Sequence, residues 1–203
     1  MESTITRRTV LTGTALAGVG ILAGCLEDES DNGFSDPITI ESGQACDNCT
    51  MEIVDYPGPV GQAFYSDPAA VLTGVDGDDP NSNEDDELDR PAQFCSSLCT
   101  YTFLFENQDD QEPEAVYLTD YSIADYEIDD GGDEPEISSH VDAEYFELAT
   151  ELTLVVGSEV EGAMGQSMIG FSDDDDASDF EAEHGGDRYE HDEVDQELVM
   201  SLM

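Results

Sequence analysis

Five cysteines and six methionines carry the reactive sulfur of this chain. Cys46 and Cys49 are separated by two residues, and Met51 follows two positions later. A C-x-x-C turn brings two sulfurs to one point, which suits a metal ion or a disulfide. A thioether beside two thiolates favours a soft ion such as Cu(I), because soft donors prefer soft metals. The same spacing serves zinc knuckles and redox pairs, and a methionine near a cysteine commonly does nothing but pack. Cys95 and Cys99 are four apart, so on a helix they share one face. They read either as ligands or as two small side chains on the core side of that helix. Met164 lies in Gly162-Ala163-Met164-Gly165, where glycines let backbone approach a ligand and leave the thioether exposed. The three histidines, His140, His184 and His191, sit in acidic surroundings and read as solvated surface rather than ligands.

Other chemistries are poorly supplied. The chain has no Ser-His-Asp set, phosphate loop or dinucleotide fingerprint, so enzyme is the weakest functional class. Its 203 residues include 51 Asp and Glu against four Arg and no Lys, a formal net charge of −47. No basic patch exists to neutralise phosphates, which excludes nucleic-acid binding. Such self-repulsion destabilises a compact state at ordinary ionic strength. At molar salt the Debye length shrinks to about 3 Å and the repulsion is largely screened. With 38% hydrophobic residues in runs between the acid clusters, the composition is that of a folded protein from a salt-rich cell.

The elements that must position the sulfurs follow from the apolar pattern. Val60 to Tyr65 reads as a short strand after the Cys46 turn, and Asp76 to Asp89 as an acid-rich surface insertion. A helix is expected around Cys95 and Cys99, then a strand at Ala115 to Asp120, extended beyond a turn by Tyr126 to Ile128. Asp129 to Pro135 is a second acidic loop, and the β-branched run Leu152 to Val156 a central strand. Ser172 reads as the N-cap of a helix whose first turn, Asp173 to Asp176, favours the positive end of the dipole. That helix should run to about Glu183 and stop at Gly185-Gly186. Arg188 to His191 is then a short strand and Gln196 to Met203 a terminal helix. Strands and helices are interspersed, which makes the fold class α+β.

Residues 1–25 read as an export leader. Thr6-Arg7-Arg8-Thr9-Val10-Leu11 is a twin-arginine pattern of the Tat type, with Arg7 and Arg8 as its signal. The apolar segment from Val10 to Ala23 is short and glycine-rich for a spanning helix. Leu22-Ala23-Gly24-Cys25 resembles a lipobox, whose cysteine is lipidated and becomes the mature N-terminus. An uncleaved anchor with Cys25 as bystander is the alternative, and both place the domain outside the cytoplasm, at the outer face of the membrane. Residues 26–44, acidic at their start, are expected to form a flexible tether, leaving 45–203 as the metal-binding domain.

The Cys46-x-x-Cys49-x-Met51 turn, with Asp55-Tyr56-Pro57-Gly58-Pro59-Val60-Gly61-Gln62 behind it, resembles the NosL family of nitrous oxide reductase accessory proteins. A second block is similar to the same family: Val156-Gly157-Ser158, Gly162-Ala163-Met164-Gly165, Phe171, and Ala177 through His184-Gly185-Gly186. The resemblance implies an exported, lipid-anchored, monomeric Cu(I)-binding protein that delivers copper to a recipient copper enzyme or its assembly factors. It further implies two related ββαβ lobes, with the Met164 loop closing over the Cys46–Met51 turn. The family's usual proline before that methionine is Ala163 here. Phe94-Cys95-Ser96-x-x-Cys99 after a Cys-x-x-Cys-x-Met resembles the YHS/TRASH-type pattern, in which two cysteine pairs converge on one ion. Three functions therefore stand beside one another. The first is a copper chaperone using Cys46, Cys49, Met51 and Met164. The second is a structural zinc module using Cys46, Cys49, Cys95 and Cys99. The third, a thiol oxidoreductase, is disfavoured because the C-x-x-C follows a tether rather than a strand entering a helix.

Overall fold

In each half of the chain three strands pair with the first of them in the middle, and a helix connects the second to the third. The structure is a computed structural model that describes residues 34–72 and 90–203. The expected leader with Arg7, Arg8 and Cys25, the start of the tether, and the acid-rich insertion at 76–89 lie outside the described residues.

The first half contains β1 (Gly61–Phe64), α1 (Pro68–Leu72), β2 (Ala92–Phe94), α2 (Ser97–Asn107) and β3 (Ala115–Thr119). β1 pairs antiparallel with β2 through Gln62 opposite Gln93, and with β3 through Gln62 opposite Tyr117. Two short strands, β4 (Ile128–Asp129) and β5 (Glu136–Ile137), come next, and β6 (Phe146–Leu148) then joins the free edge of β3. The second half contains β7 (Thr153–Gly162), β8 (Gly165–Phe171), α3 (Asp174–His184), β9 (Asp187–Glu190) and a terminal α4 (Gln196–Ser201). β7 pairs antiparallel with β8 and with β9, while β5 adds in parallel at Glu136 opposite Glu161. The sheets are thus ordered β2-β1-β3-β6 and β4-β5-β7-β8, with β9 beside β7.

The β-branched run in β7 is apolar at consecutive positions because both of its faces are covered. Leu154 and Val156 enter a core shared with Phe94, Leu98, Leu118 and Met168. Val155 points the other way, with Ile169, Phe171, Ala177 and Phe180, where α3 packs. α2 is buried nearly all round, from Ser97 through Tyr101 and at Phe103. Phe103 stacks on Phe94 with ring centroids 5.1 Å apart, and the N-terminal end of the helix is bonded to β8.

Several expectations need correction. The tether was expected to run to residue 44, but its described part is docked on the domain. Ile40 is buried and donates its N–H to the Val141 carbonyl at 2.9 Å. Gln62 exchanges two hydrogen bonds with the Ile38 backbone, and Tyr117 donates its hydroxyl to the Ser35 carbonyl. Ile38-Thr39-Ile40 is apolar enough to be held this way, unlike the acidic residues before it. The cap of α3 is Asp173, whose side chain accepts from the Asp175 N–H at 2.8 Å, while Ser172 gives its own N–H to Asp120. Cys95 and Cys99 do not share a helical face. Cys95 precedes the N-cap Ser96, and only Cys99 lies in α2.

Candidate metal centre

The Cys46–Met51 segment forms a tight loop closed at its base. The Cys46 N–H donates to the Met51 carbonyl and the Thr50 N–H to the Cys46 carbonyl, both at 2.8 Å. An isolated antiparallel bridge between Ala45 and Glu52 continues the closure. Thr50 takes a φ of +65°, a conformation that a β-branched residue adopts only when its surroundings hold it.

Asp47 fixes this loop to the second cysteine pair. Its carboxylate accepts two hydrogen bonds from Arg90, at 2.7 and 2.8 Å, and one from the Gln93 N–H at 2.7 Å. The Asp47 N–H returns a bond to the Gln93 carbonyl at 2.9 Å. β2 leaves Gln93 and reaches Cys95 two residues later, and Ser96 then turns the chain into α2 by accepting the Cys99 N–H at 3.0 Å. The loop and the helix start therefore present their cysteines to one another.

All four sulfurs, of Cys46, Cys49, Cys95 and Cys99, lie within 4.8 Å of one another. Cys95 Sγ is 3.4 Å from Cys49 Sγ and 3.8 Å from Cys99 Sγ, and none of the four is in a disulfide. A tetrahedral ion with metal–sulfur bonds of about 2.3 Å needs sulfur–sulfur edges of about 3.8 Å, so this set has the size of a metal site. Cys46, Cys95 and Cys99 are buried, whereas Cys49 is half-exposed and gives the cluster an open side. Hydrogen bonds from Cys95 and then Cys99 push the Cys46 thiol far below its ordinary range, despite burial. The same Cys46 thiolate, followed by Cys99 and burial, holds the Cys95 proton on. Cys99 is pushed up to about 12, first by Cys46.

Met51 is partly buried and packs against the core that contains Cys46, Cys95 and Cys99. Met164 stands in the two-residue turn of the β7–β8 hairpin, between Gly162 and its partner Gly165, and is exposed. Both glycines have local uses. A Cβ at Gly162 would collide with the Gly58 carbonyl oxygen, and Gly165 has a φ of +87°. Ala163, beside Met164, packs on the same core as Cys49 and Met51.

The two halves meet beside the cysteines. Ser97 Oγ lies 3.0 Å from Ser167 Oγ and also accepts the Met168 N–H at 3.0 Å. Farther off, buried Asp120 accepts from the N–H groups of Ser122 and Ser172, both at 2.9 Å, where β3 meets β8. The histidines are not plain surface groups, and none joins the cysteine cluster. His191 Nδ1 is 2.8 Å from the Tyr101 hydroxyl, and burial lowers its pKa. His140 is 3.1 Å from Ser138 Oγ, and His184 is 3.6 Å from Glu159. Sequence reasoning did not find Asp47, Ser96 or Ser97 as parts of the site. The signal it passed over was Arg90, one of two arginines beyond residue 25.

Known proteins are similar to this chain in sequence and in fold. The chain is 26% identical over 178 residues to the copper-binding lipoprotein NosL of Stutzerimonas stutzeri, covering 88% of this chain and 76% of that protein. It also superposes on the crystal structure of the copper chaperone NosL from Shewanella denitrificans with a TM-score of 0.58 and 26% identity. That superposition covers 78% of this chain and 94% of the other. Such relatives are named as copper-binding or chaperone proteins and not as enzymes. The family's own pattern matches residues 37–199, from the docked Ile38 segment to α4, and the chain belongs to the NosL family.

Proposed function

We propose that this protein binds Cu(I) at the four-cysteine cluster and hands it to a recipient copper protein. The observation that carries this reading is the convergence of Cys46, Cys49, Cys95 and Cys99 within 4.8 Å. Thiolates suit Cu(I), and the half-exposed Cys49 leaves a side from which ligands of a partner can take the ion in turn. Met51, packed against the same core as the cysteines, is proposed to add a thioether, and Met164 to be a further donor from the hairpin turn. Its exposure and its neighbour Ala163, which packs on the same core as Cys49 and Met51, support that reading. The recipient we propose is a copper enzyme such as nitrous oxide reductase, or one of its assembly factors, with the carrier working as a monomer.

A second reading rests on the same geometry. Four sulfurs at tetrahedral spacing also fit a closed structural Zn(II) site. Anaerobic titration separates the two. One Cu(I) bound per chain, displacing Zn(II), is the outcome expected of the carrier. Stoichiometric zinc that Cu(I) does not exchange would reject it in favour of the structural site.

We also propose that the protein is exported through the Arg7-Arg8 signal and held at the outer face of the membrane by a lipid on Cys25. Among the described residues no helix is long and apolar enough to cross a membrane. A Cys25→Ser variant should appear in the soluble fraction; its retention in the membrane would reject the anchor. Arg7→Lys with Arg8→Lys should leave the precursor in the cytoplasm.

A further inference from the structure

Cu(I) is satisfied by two or three soft donors, yet this cluster holds four thiols with a methionine beside them. Cys49 Sγ and Cys95 Sγ are 3.4 Å apart, nearly in contact, although forty-six residues separate them. Cys49 is also the member of the set that solvent reaches, so an ion entering the site meets it first. Copper in oxygenated water is Cu(II), an oxidant of thiolates as well as a ligand for them.

We propose that the cluster reduces Cu(II) to Cu(I) by closing a disulfide between Cys49 and Cys95. Each of the two thiols loses its proton on meeting copper. Each thiolate then gives one electron to a Cu(II) ion, and the two sulfurs join. The balance is two Cu(II) and two thiols consumed, and two Cu(I), one disulfide and two protons formed. Closure requires the sulfurs to approach by about 1.4 Å, from the observed gap to bonding distance. Cys46 and Cys99 keep their thiols, with Met51 alongside, so one Cu(I) made in the reaction still finds soft donors. The inference rests on the reading of this cluster as a copper site and adds an electron-transfer step to it.

The test uses the full chain carrying Cys25→Ser, so that every thiol counted belongs to the cluster. The protein is fully reduced, freed of reductant and given two equivalents of Cu(II) salt without oxygen. Expected are loss of the Cu(II) electron paramagnetic signal and two Cu(I) per chain trapped by a Cu(I)-specific chelator. Free thiols should fall from four to two. Digestion with an acid-residue-directed protease should then yield a peptide pair cross-linked through Cys49 and Cys95. A persistent Cu(II) signal with four thiols remaining overturns the proposal, and so does a cross-link confined to Cys46 and Cys49. Cu(I) supplied directly to a second portion of reduced protein tests the carrier reading alone. Failure to bind there defeats that reading, whereas binding there without Cu(II) reduction defeats this one.

Discussion

Arg90 holds Asp47 through two guanidinium nitrogens, at 2.7 and 2.8 Å, across forty-three residues of chain. Asp47 lies between the first two cysteines and Arg90 just before the second two, so this pair aligns the halves of the cluster. The Asp47 side chain is only 3% exposed, which shields the pair from the salt that screens surface charge. Breaking a buried pair at one end costs about 3–5 kcal/mol, because the other charge is left without its partner. Arg90→Met should lower the melting temperature and weaken Cu(I) binding even with all cysteines intact. Arg90→Lys should recover part of both, since a lysine keeps the charge and loses the two-pronged geometry. Calorimetry and chelator competition on the two variants would measure this. Equal Cu(I) affinity in Arg90→Met and the parent would reduce the pair to a merely stabilising contact.

Copper binding should release protons. Cys99 is pushed up to about 12 and Cys95 is also raised, so near neutral pH both hold protons that a metal must displace. The direction is fixed: lower pH favours the protonated thiols and weakens binding. For each proton displaced, affinity should drop about tenfold per pH unit. A competition series from pH 8 to 6 would reveal the slope, and a flat profile would exclude Cys95 and Cys99 as ligands. Replacing both Cys46 and Cys49 with Ser should abolish binding.

Met164 and Gly162 are neighbours in one hairpin with opposite expectations. Met164 is exposed, so Met164→Leu should change the stability of the metal-free protein by less than about 0.5 kcal/mol. If its thioether is a donor, Cu(I) affinity falls in the same variant, and unchanged affinity would leave copper to the cysteines and Met51. Gly162→Ala drives a methyl into the Gly58 carbonyl and should cost about 1–3 kcal/mol of stability. A melting curve for each variant would separate the two effects.

Folding should depend on salt. Beyond residue 25 the chain carries 50 acids (the total of 51 less Glu2) against Arg90 and Arg188. Those two are already engaged, Arg90 with Asp47 and Arg188 with Glu181 at 2.8 Å. The remaining charge can only be screened, which needs ionic strength on the order of 1 M. Circular dichroism in low and molar salt should show loss of structure on dilution. Superposable spectra and equal melting points would mean that the acids serve solubility alone.

The strands at β1, β3, β7 and β9 and the helices α2, α3 and α4 were legible because their signals are local, whereas β2 and β8 were not read from the residues. β-branched runs, glycine stops and the acidic first turn of α3 each declare an element within ten residues or so. Even there the cap was misplaced by one, since Asp173 and Ser172 are both good caps and only the distant Asp120 decides between them. The convergence of the two cysteine pairs was accessible only through resemblance, because nothing local says that residues 46 and 95 meet. What joins them is the Asp47–Arg90 pair, a contact between distant positions that no period or spacing encodes. The docking of Ile40 was missed because an acidic start coloured the reading of the whole 26–44 stretch. Its Ile-Thr-Ile triplet is an alternating strand-like signal and argued otherwise.

That docking has a consequence for geography. A tether of residues 26–44 would have given the domain nineteen residues of leash and a radius of about 65 Å at full extension. With the chain fastened to β1 and β3 from Ser35 onward, only residues 26–33 separate Cys25 from Phe34. Eight residues reach at most about 28 Å. A domain lipidated at Cys25 would therefore graze the bilayer rather than patrol the space beyond it. Its customer would have to come down to the membrane surface, or be docked there already, to collect the ion.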